Sequence, residues 1–313
     1  MAADNLQRLT IPTIWATEMG VAQYVGNPLT IHPNSTLDTV RNSAQIFPQI
    51  PTVHTLGMEI VDAYEPVADT PNLRYQYVGI GIGAHTVSLA TPLNIPTYKI
   101  LPHRCTDVNL FHWIPFLVRP IDQDLTTQER TQYRYRRTLQ IGGDLYAAYY
   151  LRKLDLSGVD PATILTTIGP NGSEINQPFI PSEANLYPTP PTNPQTSGGV
   201  RLTHSVPLTL ILTSDDIDEL RNVAQLLYGD TSILMVSEVA FCSGVDKPIT
   251  GRYPNSGTQN VSTVVNSPVH EAVGLRVSSF FCSLNPLGSA EDLSMELNLG
   301  GGEPLYGAEY PVG

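Results

Sequence analysis

The sequence predicts an α+β fold that is mostly β: a β-sandwich-like core with a few short helices and extended terminal arms. Three observations predict it. The 313 residues include 27 Pro and 24 Gly, so the chain turns often and long uninterrupted helices are disfavoured. Only 15% of residues are charged, and Thr, Ser and Asn take their place, while 41% hydrophobic content is enough for a real core. The run Arg74-Tyr75-Gln76-Tyr77-Val78 alternates polar and aromatic residues with the period of a strand.

Taken along the chain, residues 1–55 have no clear period and are interrupted by Pro12, Pro28, Pro33, Pro48 and Pro51. They read as an extended arm with short strands and one weak helix near Leu37–Ile46. Thr55–Tyr64 and Leu73–Ile82 read as strands, joined by the turn Asp69-Thr70-Pro71-Asn72. The run Gly79-Ile80-Gly81-Ile82-Gly83 does not open into a helix, so it is no dinucleotide fingerprint. Its glycines point to a bend or a close backbone approach.

Thr126-Thr127-Gln128-Glu129 is a capping-box pattern for a short helix. Beyond it, two runs rich in Tyr, Leu and Arg flank Gly142-Gly143, a pair able to take the positive φ angles of a tight hairpin. A two-residue loop sets Ile141 opposite Asp144, Leu139 opposite Tyr146 and Arg137 opposite Ala148. Both faces then mix aromatic, aliphatic and basic residues, so both are expected to be covered, with guanidinium groups stacked on Tyr or paired with carboxylates. Leu186–Gly199 has the composition of a linker or ordered loop. Val206–Leu212 reads as a buried strand. Ser214 caps a helix over about 215–228 that Gly229 stops, with Ile217, Leu220, Ala224 and Leu227 at helical spacing. Ser232–Phe241 and Leu275–Cys282 read as strands, and the stretch from Gly300 as a tail that needs a partner. The expected domains are 1–190, β-rich with the Gly142-Gly143 hairpin, a linker at 191–200, and 201–313, α+β.

The chemistry-bearing residues give little. The net charge of −12 argues against a nucleic-acid partner. No run approaches a membrane span, and Met1–Trp15 lacks the pattern of a signal peptide, so no membrane partner is expected. Cys105, Cys242 and Cys282 are an odd number without a CxxC and read as reduced, mostly buried thiols. His103, Cys105, Asp107 and His112 are zinc-ligand types, yet their spacing matches neither a finger nor a helical His pair. They are read as a hydrogen-bonded loop, with no metal. Asp122 and Asp124 read as partners of Arg119 and Arg130. No GxSxG, HExxH or phosphate-loop pattern is present. The expectation is no enzyme: no catalytic residues, no cofactor, no metal.

Several pieces in order carry a resemblance: Gln76-Tyr77-Val78-Gly79-Ile80-Gly81 leading to His85, Pro102-His103-Arg104 with Asp107, Ile114-Pro115-Phe116 with Arg119-Pro120, Asp124-Leu125 and Glu129-Arg130, then Tyr133-Arg134-Tyr135-Arg136 and Tyr146-Ala147-Ala148-Tyr149-Tyr150-Leu151. Over roughly residues 74–156 the chain resembles baseplate wedge proteins of contractile-tailed bacteriophages. The resemblance implies a structural virion subunit, made in the host cytoplasm, that joins neighbouring tail proteins and is a homo-oligomer, a dimer, within the assembly. It implies no catalytic residues. A neck, capsid-decoration or fibre-attachment protein is the first alternative, and a receptor- or glycan-binding module or an envelope-degrading enzyme the next. Tyr and Arg are enriched at protein contacts, so Arg119, Arg134, Tyr135, Arg136, Arg137, Tyr146, Tyr149 and Tyr150 are expected to form the docking surface between subunits.

Overall fold

The computed structural model describes residues 9–25, 37, 59–60, 74–90, 95–126, 128–157, 159, 162–168, 173–179, 201–254, 264–286 and 293–304. β1 (Leu9–Pro12) leads into helix α1 (Ile14–Val25). β2 (Glu59–Ile60) and β3 (Arg74–Gly81) follow, then β4 (His85–Ala90), β5 (Ile95–Ile100), β6 (Trp113–Ile114) and β7 (Leu117–Pro120). The Gly-Gly hairpin is β8 (Tyr133–Ile141) and β9 (Asp144–Lys153). β10 (Ala162–Ile168), β11 (Glu174–Pro178) and β12 (Arg201–Leu212) precede helix α2 (Ser214–Tyr228). β13 (Met235–Pro254), β14 (Val264–Pro286) and β15 (Leu293–Pro304) complete the order. The fold is α+β and mostly β, as the turn-rich composition requires.

The chain divides into two compact units that interleave along the sequence: residues 1–155 with 211–293, and residues 156–210 with 294–313. The expected boundary at 191–200 lies outside the described residues. The first unit holds a nine-stranded sheet with the path β1-β14-β13-β3-β9-β7, to which β2, β6 and β8 add on β13, β3 and β9. It also holds the two-stranded β4–β5 hairpin. The second unit holds a four-stranded sheet in the order β11-β10-β12-β15. There Thr166 Oγ1 donates to Asn176 Oδ1 at 2.7 Å across the β10–β11 pair.

The Gly142-Gly143 hairpin forms with the expected register, Ile141↔Asp144, Leu139↔Tyr146 and Arg137↔Ala148. Both glycines have positive φ, 61° and 103°, which a side chain would make costly. The glycines of β3 serve close approach. A Cβ on Gly79 would run into the Trp113 ring, and one on Gly81 into the His112 carbonyl and the Glu238 carboxylate. Trp113 is 1% exposed and Ile80 and Tyr77 are 0% exposed, so this crossing lies at the centre of the core. Leu117, Ile121, Leu125, Leu145, Ala147 and Tyr149 form an adjoining apolar cluster.

Several expectations are corrected. The described part of the N-terminal region is not an extended arm: β1 pairs with β14, and α1 follows at once. Thr13 makes the junction, with Oγ1 donating to Val277 O at 2.7 Å and accepting from Ala16 N at 3.4 Å. The helix expected near Leu37–Ile46 lies outside the described residues apart from Leu37, whose N–H donates to Leu275 O at 2.8 Å. The Thr126–Glu129 capping box is made, yet it starts only a single 3-10 turn, Glu129–Gln132, before β8 begins. Helix α2 is capped by Thr213, one residue before the expected Ser214, in a full capping box with Asp216, and Gly229 ends it at φ 71°. Gly300–Pro304, expected in the tail, belongs to β15. The three cysteines are free and mostly buried as expected, Cys242 and Cys282 inside and Cys105 exposed.

Candidate functional site

A gathering of ionisable groups surrounds Glu238, near the start of β13 and 0% exposed. A carboxyl group taken out of water costs several kcal/mol unless donors replace the lost solvent. Four do so here. Its Oε1 accepts from Gly83 N at 2.9 Å and His112 N at 2.8 Å. Its Oε2 accepts from Phe111 N at 3.0 Å and meets His103 Nε2 at 2.7 Å. One buried side chain thereby fixes three separate points of the 83–112 segment against the central sheet.

The His103 ring is stacked between Phe111 and Phe280, with centroids 4.1 and 3.9 Å away. Its second nitrogen, Nδ1, lies 3.2 Å from Asp107 Oδ2, which also accepts from Arg104 N at 2.9 Å. The imidazole can donate to both carboxylates only as the imidazolium. Its side chain is fully enclosed, with both faces covered by rings and both nitrogens engaged. A substrate could reach it only by breaking this packing. The chemistry such an arrangement performs is hydrogen bonding within the core and loop fixation.

Around this core, Ser237 Oγ accepts from Ala84 N at 3.0 Å and lies 3.0 Å from His85 Nδ1. His112 Nε2 lies 2.7 Å from the Tyr228 hydroxyl at the end of α2. Burial pushes the pKa of both His85 and His112 down, and the charge of Glu238 opposes that only in part. Burial pushes Tyr228 up to about 12. Among the described residues no group of three or more His, Cys, Asp or Glu is placed to hold a metal ion. Of the sequence quartet, His103 and Asp107 come together, His112 turns its ring to Tyr228, and Cys105 faces solvent.

The expected docking surface is corrected by burial. Arg134, Arg136 and Arg137 are 4%, 5% and 4% exposed, and Tyr135, Tyr149 and Tyr150 are 2%, 2% and 0%. These six side chains lie inside the chain itself. Asp246 accepts from Arg134 Nε at 2.9 Å and Nη2 at 2.8 Å, from the Tyr77 hydroxyl at 2.5 Å, and pairs with Lys153. Asp124 accepts from Arg136 Nε and Nη2 at 3.0 and 2.8 Å and from Arg130 at 3.1 Å. Arg119 and Tyr146 are half-buried. Arg119 forms a bidentate pair with Glu219 of α2, both contacts at 2.6 Å, in place of the expected aspartates. Sequence reasoning took the right residue types and the right pairing chemistry, but assigned them to a surface between chains.

Glu238 was missed, although it left a signal. It stands in Met235-Val236-Ser237-Glu238-Val239-Ala240-Phe241, and a single charge inside an otherwise apolar strand needs a buried partner. A family model described as "Family of unknown function (DUF7208)" matches residues 57–311. No curated protein and no solved structure matches the chain.

Proposed function

The chain belongs to the DUF7208 family, and we propose that it is a structural subunit of a tailed-bacteriophage virion, a baseplate wedge component that joins neighbouring tail proteins and further copies of itself. The resemblance over residues 74–156 motivates this reading. The observation that carries it is the ribbon formed by β13 and β14, 20 and 23 residues long. Ordinary strands have about five or six residues.

β3 leaves β13 at Gly244. From Val245↔Val273 to Pro254↔Val264 the two strands run on as a pair. Among the described residues only β2 joins that stretch, at Gly251 and Arg252. At ~3.3 Å per residue the extension is roughly 30 Å long. Among the described residues no strand other than β2 lies alongside residues 247–254 and 264–271, and the backbone N–H and C=O groups of such an edge are ones a neighbouring subunit can pair with. The Glu238 centre fits the same role, because it stiffens the body from which the ribbon runs. The Arg and Tyr ribbon of the Gly-Gly hairpin contributes in the same way, as internal staples and not as the docking surface.

The test is made on purified particles. Mass spectrometry is expected to find the chain in them, and cryo-EM to place the β13–β14 extension against a neighbour. A variant with residues 247–270 replaced by a two-residue turn is expected to fold and to fail to enter particles. Absence of the chain from particles would overturn the reading. So would cell-wall-degrading activity of the pure protein that His103→Ala or Asp107→Ala abolishes.

A further inference from the structure

The β4–β5 hairpin has one face with no partner. Its register pairs His85↔Ile100, Val87↔Tyr98 and Leu89↔Pro96 on one face, and Thr86↔Lys99 and Ser88↔Thr97 on the other. Opposed residues of an antiparallel pair share a face, and alternate residues of a strand return to it. The first face is therefore apolar. Val87 is 54% exposed, Leu89 62% and Tyr98 42%, and Pro96 is exposed too. The second face is polar and carries the hairpin's lysine. The amphipathic pattern is that of a strand pair resting on a core, yet among the described residues nothing covers the outer part of the apolar side, Val87, Leu89, Pro96 and Tyr98.

Charge says what can cover it. The chain carries 29 acidic against 17 basic residues, so two copies repel over most of their surface. Residues 70–106 contain no Asp or Glu, and the only fixed charges in that stretch are Arg74, Lys99 and Arg104. The hairpin lies within this acid-free stretch. Its apolar face holds no fixed charge, since Lys99 points to the opposite side and His85, at the base, is half-buried beside Ser237. Two such faces brought together oppose no carboxylate of their own, and a self-complementary apolar face is what a two-fold contact requires.

We propose that the face formed by Val87, Leu89, Pro96 and Tyr98 is a self-association surface, on which the hairpins of two copies pack face to face about a two-fold axis. The patch is on the order of a few hundred Å², below the ~800 Å² per partner of a stable free-standing interface. The contact is therefore weak between free chains and becomes firm only where other contacts hold the copies side by side. This names the surface for the copy-to-copy contact proposed above. It concerns the purified protein alone and stands or falls apart from the particle assignment.

Cross-linking of the full chain tests it. In a Cys105→Ser background, which removes the one exposed thiol, Leu89→Cys and Ser88→Cys place a thiol on the apolar and the polar face of the same strand. Under mild oxidation Leu89→Cys is expected to give several-fold more covalent dimer than Ser88→Cys. Without added cysteines, Leu89→Asp is expected to abolish the rise in weight-average mass with concentration in sedimentation, with the circular dichroism and Tm unchanged. Equal cross-linking from both faces, cross-linking from neither, or unchanged self-association of Leu89→Asp overturns the proposal.

Discussion

Asp124 shows what single residues contribute here. Its two oxygens accept from Arg136, Arg130, the Tyr149 hydroxyl at 2.7 Å and its own neighbour Leu125 N at 2.7 Å. Both Asp124 and Arg136 have side chains 4% exposed. A buried pair of this kind adds little over an apolar pair of equal shape, but breaking one half leaves the other charged and stranded. Asp124→Asn is accordingly expected to lower stability by about 3–5 kcal/mol, while Tyr149→Phe, which removes one neutral donor to the carboxylate, costs about 1.5–3 kcal/mol. Urea unfolding of the two variants checks this. Equal losses would show that the ion pair is not what matters. The residue types of this network were legible in the sequence, where Asp124, Arg130 and Arg136 stand within 13 positions. Asp246 and Glu219, the partners of Arg134 and Arg119, lie 112 and 100 residues away, and nothing local points to them.

Among elements, β3 is the one on which the others converge. β13 lies along one edge, and β9 and β6 share the other end to end, through Tyr77–Gly79 and Ile80–Gly81. Trp113 can lie over this strand only because position 79 has no side chain. Gly79→Ala forces the indole out of a site where it is 1% exposed, and overpacking of this kind costs roughly 1–3 kcal/mol or more when a rigid ring must move. The expected result is a lower Tm and a red-shifted Trp emission. An unchanged spectrum would mean that the backbone gives way instead of the ring. Gly143→Ala, at φ 103° with open space around it, tests backbone conformation alone and should leave the emission in place. The glycine run and the Gly-Gly turn were both read correctly from sequence, because the glycine requirement is local. Helix α1 was not, because its apolar residues follow no clean helical period and its placement depends on Thr13 reaching across to β14.

For the whole molecule, the pH dependence of stability integrates these sites. His85 and His112 have folded pKa values below the ordinary 6.5, because burial disfavours their charged forms. The unfolded chain therefore binds protons first, and stability falls as pH drops through about 6.5. Asp246 adds a second window. Burial alone would raise its pKa, but hydrogen bonds from Arg134, Lys153 and Tyr77 outweigh that and hold it well below the usual 3.8. Its contribution is full above pH 3.8 and is lost as pH falls towards its folded value. The melting temperature measured from pH 8 to pH 2 should thus fall in two stages. Asp246→Asn should lower it at neutral pH and flatten the second stage alone, and an unaltered acid limb would contradict the assignment.

The sequence by itself determined the class of fold, the Gly142-Gly143 turn and its register, the α2 helix with its glycine stop, and the pairing of Arg130 with Asp124. Each of these is set by neighbours a few positions apart, through backbone sterics or a repeating pattern of side chains. Only the tertiary structure decided where those features lie. The Tyr and Arg side chains that suit a docking surface equally suit the interior of a sheet crossing, and composition cannot tell one from the other. The difference was made by strands far away in the chain: β13 brings Asp246 to Arg134 and Glu238 to His103, and these pairings turn an apparent surface into a core. The apolar β4–β5 face is exposed for a related reason, since whether such a face is covered depends on which distant strands lie against it.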